Sequence, residues 1–174
     1  MKYLVMISMF LFVQSDWTEN VKKDVKRINA EGKLEAESEK KDNDGVIKVK
    51  KYKTKNETRV NAKFLYSKFI DLDTNYYENE KLLFAETASG IDVIIYKGEK
   101  KKEDPYAVLV EKITYFNNEN EGIRKTRKLD IYENSDLKKL KSDLKKMDFK
   151  IEKLDHTEYK NVKENYERIK AIKK

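Results

Sequence analysis

Apolar residues along this chain change their spacing several times, and each change marks an element. Between Asp16 and Glu31 the side chains of Trp17, Val21, Val25 and Ile28 recur at intervals of four, four and three, which places them on one helical face, and Gly32 follows as a C-cap. The period then falls to two. Leu34 and Ala36 precede, and Ile47 and Val49 follow, the stretch Asp42-Asn43-Asp44-Gly45, a four-residue hairpin turn built from residues that accept positive φ or bond their own backbone. A longer strand is predicted over 59–70, with Val60, Ala62, Phe64 and Tyr66 on its buried face.

Segments 82–85 (LLFA) and 91–96 (IDVIIY) carry apolar residues on both alternate faces, as central strands do, with a tight turn at Ser89-Gly90 between them and a looser turn over 77–81 upstream. Pro105, the only proline, opens a strand over 106–116, where its missing N–H breaks no ladder. After a loop at 117–122 comes a more polar strand over 123–132, whose Lys and Arg suit a position near a sheet edge.

In the tail the helical period returns. Leu137, Leu140, Leu144 and Met147 form one stripe behind Ser135 as N-cap, and Phe149, Ile151 and Leu154 suggest a further short strand. Asp155 and Glu158 then make a capping-box-like start to a last helix with Tyr159, Val162, Tyr166 and Ile169 on its core face. The pattern predicts an α+β fold: a meandering antiparallel β-sheet with an N-terminal helix and two C-terminal helices packed on the sheet, the latter two on one face.

The N-terminus has a different character. Lys2 is followed by an uncharged apolar run over 3–13, the length of a signal-peptide core and too short to span hydrocarbon, and Val13 and Ser15 suit cleavage before Asp16. The expectation is a signal peptide over 1–15 and a single domain over 16–174, exported and soluble after cleavage in a periplasm or outside the cell, with no later membrane span. With no cysteine there is no disulfide, no thiolate metal ligand and no lipid-modified residue at the cut, so a lipoprotein is excluded. A charged content of 41% would suit a disordered chain, but eleven Tyr, seven Phe and recurring β-branched residues supply a core. The net charge of +7 is a small difference between 39 basic and 32 acidic residues, which fits mixed surface and weak attraction to anionic polymers or lipid headgroups better than a nucleic-acid groove.

Candidate chemistry is sparse. His156, the only histidine, falls in the first turn of the last helix, where a solvated role is expected, and no motif supplies a nucleophile with its base. Asp42-Asn43-Asp44-Gly45 fails as a calcium loop because Lys40 and Lys51 fall where acidic ligands are needed; Asp71 and Asp73 keep a looser cation reading within a capped, solvated loop. The densest basic cluster is the loop over 97–104, with Lys97, Lys100, Lys101 and Lys102 as candidates for contact with an acidic surface. Phe64, Phe84, Val93, Ile95 and Tyr115 are candidates to line a pocket between sheet and helices.

No cofactor is implied. The leading expectation is a non-enzymatic binding protein of the bacterial cell envelope, contacting another envelope protein or an anionic polymer or lipid surface. The rivals are a carrier of a small hydrophobic ligand, an inhibitor of an envelope enzyme, and a hydrolase of unfamiliar type.

Overall fold

The computed structural model describes residues 2–42, 45–66, 71–79, 83–94 and 103–173, with side chains for 17–41, 45–66, 71–79, 85–92, 94 and 103–173. Helix α1 (Lys2–Glu31) leads into seven strands, β1 (Lys33–Asp42), β2 (Gly45–Lys53), β3 (Glu57–Leu65), β4 (Asp71–Asn79), β5 (Leu83–Val93), β6 (Ala107–Asn118) and β7 (Glu121–Ile131). Helix α2 (Leu137–Lys146), strand β8 (Lys150–Leu154) and helix α3 (His156–Lys170) complete the chain. All eight strands form one antiparallel sheet in the order of the sequence, the predicted meander.

Register decides which face each side chain occupies. Val49 lies opposite Ala62, and the row continues through Thr74, Ala88, Lys112 and Thr126. This face, the back, receives α3, whose Tyr159, Val162, Tyr166 and Ile169 are buried against Val49, Val60, Tyr76 and Phe116. The alternate rows form the front. At one end α1 packs Ile28 with Trp17, Val21 and Val25 against Tyr77, Ala85 and Tyr115; at the other, Leu144 of α2 packs with Ile91, Ala107, Leu109 and Ile131. The two C-terminal helices therefore lie on opposite faces, not on one, because β8 separates them and carries the chain from the front to the back.

Helix α1 crosses the strands. Near its C-terminal end Arg27 pairs with Glu57 of β3, and Asn29 accepts from Arg59 (2.6 Å) and from the Tyr77 hydroxyl (3.2 Å). Eight to ten residues earlier Glu19, hydrogen-bonded by Lys22, sits in the field of Lys125 on β7. Gly32 ends the helix without a positive φ. It is needed for space: its amide donates to Ile28 O (2.9 Å), and a Cβ there would stand 2.7 Å from that same oxygen.

Four further expectations change. Residues 71–79 form a strand, not a loop: Leu72, Thr74 and Tyr76 face the back while Asp73 and Asn75 face the front, a period of two that turn-forming residue types disguise. Asn61 of β3 satisfies those front groups by donating to Asp73 (2.6 Å) and Asn75 (3.2 Å). Ser89-Gly90 is no turn but the middle of β5, and the predicted turn over 77–81 gives way at its start to the end of β4. The N-cap of α2 is Asp136, which accepts from the amides of Lys138 (2.9 Å) and Lys139 (3.2 Å), whereas Ser135 accepts from Tyr132 N.

Gly90 has φ +134, and a Cβ built on it would stand 2.2 Å from Asp71 O. The glycine lets the start of β4 close onto β5. Gly90→Ala is expected to lower stability by about 2–4 kcal/mol, combining backbone strain with displacement of β4, and urea unfolding measures it as a lower midpoint.

Candidate functional site

Helix α3 starts where Asp155 accepts hydrogen bonds from Thr157 N (2.8 Å) and Glu158 N (3.3 Å), so its first turn needs no other cap. Its buried stripe occupies every third or fourth position, which leaves the neighbouring flank, His156, Lys160, Lys163, Glu164 and Glu167, facing outward. Together with Glu119 from the turn between β6 and β7, that flank lines an open groove of about 470 Å³.

An aromatic floor underlies it. The Tyr159 ring meets Phe116 edge-on (5.2 Å, 87°), stacks against His156 (6.4 Å, 24°) and lies 5.6 Å from Lys163 Nζ. The Tyr159 hydroxyl is buried without a hydrogen-bond partner among the described residues. His156 is exposed, as its position predicts, and its Nδ1 stands 3.3 Å from Glu119 O. The groove offers both signs of charge beside an aromatic face, a lining suited to a polar or charged segment.

Beneath α3 the back of the sheet holds a polar cluster that the sequence reading does not contain. Glu86 is only 3% exposed. Its carboxylate accepts from Thr114 Oγ1 (3.3 Å) and pairs with Lys112 Nζ (3.1 Å). Nearby, the Tyr166 hydroxyl and Lys170 Nζ both donate to Glu78, the latter at 2.9 Å. Burial, reinforced by the Glu86 charge, pushes the Tyr76 phenol well above its ordinary value of 10.0, and burial together with the bond to Glu78 does the same for Tyr166. One signal for Glu86 exists in the sequence: a carboxylate between Ala85 and Ala88 in a strand must either face water or be paired.

The remaining candidates fall elsewhere. Lys97, Lys100, Lys101 and Lys102 lie outside the described residues, as do Ile95 and the side chains of Phe84 and Val93. Phe64 packs on the back and Tyr115 on the front, so these two do not line one pocket. Asp71 pairs with Lys63 (3.1 Å) and Asp73 is held by Asn61, which gives both aspartates partners within the sheet. Among the described residues no three His, Asp or Glu side chains gather as a metal site, and no helix is long and apolar enough to cross a membrane. A second open groove of about 400 Å³ lies on the β1–β2 hairpin, where Glu37 pairs with Lys50 (2.9 Å) and Ser38 Oγ donates to Ile172 O (3.0 Å).

No protein-family model, no curated protein and no solved structure matches this chain.

Two outcomes follow from the cluster under α3. Lys112→Ala leaves the Glu86 carboxylate buried with only neutral donors and is expected to cost about 2 kcal/mol, less than the ~3–5 kcal/mol of a fully buried pair because Lys112 keeps 30% of its side-chain exposure. Adding Glu86→Gln should recover part of that loss in a double-mutant unfolding cycle. The raised phenols stabilise the fold fully below their ordinary value of 10.0, and that contribution is lost as pH rises through their folded values. Alkaline titration followed by phenolate absorbance should show a late, cooperative step coincident with unfolding, reduced in amplitude by Tyr166→Phe.

Proposed function

We propose that this chain is a non-enzymatic binding protein of the bacterial cell envelope, and that it holds a charged segment of another protein in the groove along α3. The observation that carries this reading is the groove itself: a tyrosine floor bordered by Lys160 and Lys163 on one helix and by Glu119 from a strand turn. Its walls come from a helix pinned by four buried side chains and from a turn closed between paired strands, so the lining is held by the scaffold. Aromatic faces with ionic groups around them suit peptide recognition, the ring supplying contact area and the charges selecting the partner.

Export is part of the same proposal. It rests on the apolar run over 3–13 and the small Ser15 before Asp16. Among the described side chains of α1, Trp17, Val21, Val25 and Ile28 pack in the cluster on the sheet, and a chain that begins at Asp16 retains all four.

Affinity capture from envelope extract with the Asp16–Lys174 chain tests this reading, run at about 0.15 M salt and again at about 1 M, where exposed charges are screened. A specific protein is expected at both, with Lys160→Glu/Lys163→Glu lowering its recovery about tenfold. Capture indifferent to that double substitution would remove the groove from the proposal. A chain that retains no protein at either salt would overturn the interaction reading in favour of a ligand carrier.

A further inference from the structure

The corner where α2 runs into β8 combines exposed apolar side chains with exposed lysines. Ile151 is 61% exposed, more than any other large apolar side chain among the described residues, and Met147 at the end of α2 is 39% exposed. Ile151 stands on the front, opposite Lys125, and Met147 follows directly on the helix that packs on that face. The corner is held rigidly by Arg127, which donates to Lys145 O (3.0 Å) and Met147 O (3.2 Å), pairs with Glu111 and lies 4.5 Å over the Phe149 ring.

Charge around it is one-sided. Residues 137–153 contain seven lysines against three acids, and two of those acids are engaged, Asp143 by Lys146 (3.1 Å) and Glu152 by Arg124 (3.0 Å). Lys145 and Lys146 precede Met147 in the chain, Lys153 shares the front of β8 with Ile151, and all three are exposed.

We propose that this corner docks on an anionic lipid surface, with Met147 and Ile151 entering the boundary beneath the headgroups and Lys145, Lys146 and Lys153 facing their phosphates. The inference rests on the binding reading above and adds a second partner to it. Two isolated apolar prongs within a lysine rim match that boundary, where apolar tips gain from shallow burial and each lysine from a negative surface potential. A protein partner would need a larger complementary face than these prongs present.

Co-sedimentation of the full chain tests the docking, using vesicles of phosphatidylcholine alone and of phosphatidylcholine with about one-third phosphatidylglycerol. Partitioning onto the anionic vesicles is expected to exceed that onto the neutral ones by about tenfold or more, and to fall about tenfold in Lys145→Glu/Lys146→Glu and again in Ile151→Ser. Unfolding midpoints verify that each variant folds, and Lys153→Glu serves as the independent variant should one fail. Equal retention on both vesicles, unchanged by the substitutions, would assign binding to the apolar stretch of α1 and overturn the corner. Retention on neither would overturn it as well. A protein captured equally by the parent chain and by Lys145→Glu/Lys146→Glu would leave the groove reading standing while the docking fell.

Discussion

Adjacent bulky side chains that must leave the sheet in opposite directions govern this structure. Tyr76 and Tyr77 are consecutive in β4, Tyr115 and Phe116 consecutive in β6, and all four are buried. Because successive residues of a strand point to opposite faces, no single layer of helices can cover both members of either pair. The fold answers with α3 over Tyr76 and Phe116 and α1 over Tyr77 and Tyr115. A chain that meanders through eight strands has no crossover helices to place on the sheet, so the cover comes from its two ends. α2 joins α1 on the front, over Leu109 and Ile131, and β8 then carries the chain to the back, where α3 packs.

The same constraint explains which parts of the fold were legible in the sequence. Helix faces were largely readable: Tyr159, Val162, Tyr166 and Ile169 at spacings of three and four are the residues α3 buries, whereas Met147, which the same spacing adds to the α2 stripe, stands exposed past the end of that helix. Hairpins with apolar alternation, such as β1–β2 and β6–β7, were readable for the equivalent reason at period two. Strand β4 was not, since Asp, Asn and Thr favour turns when judged singly; here Asp73 and Asn75 are satisfied across the front through Asn61, and Thr74 is buried on the back. Gly90 misled in the other direction. A glycine after a serine signals a turn, but this one admits the carbonyl of Asp71, a contact between strands that local sequence does not reveal.

The groove beside α3 was legible in part. Its helix positions follow from the buried stripe, yet Glu119 joins it only through the β6–β7 turn, whose approach to His156 depends on how β8 hands the chain to the back. Two candidate pocket residues part on the same point: Phe64 and Tyr115 are both apolar-face residues of their own strands, but parity carried across β4 and β5 puts them on opposite sides. Pattern within a strand gives two faces without saying which face of the next strand matches. Register supplies that, and register is fixed by turns and bulges such as those in β1, β4 and β6.

The polar cluster between the sheet and α3 bears on how a surface groove keeps its shape. An apolar contact between a helix and a sheet tolerates sliding, since burial is nearly indifferent to small displacements along the stripe. Glu78 removes that freedom: bonded by both Tyr166 and Lys170, one helical turn apart, it fixes α3 in rotation and along its axis. Glu86, paired with Lys112 and Thr114 deeper in the same layer, forbids an alternative seating that would strand its charge. Directional bonds beneath the helix thereby set the position of His156, Lys160 and Lys163 on its flank, and the groove inherits its geometry from groups that never touch a ligand.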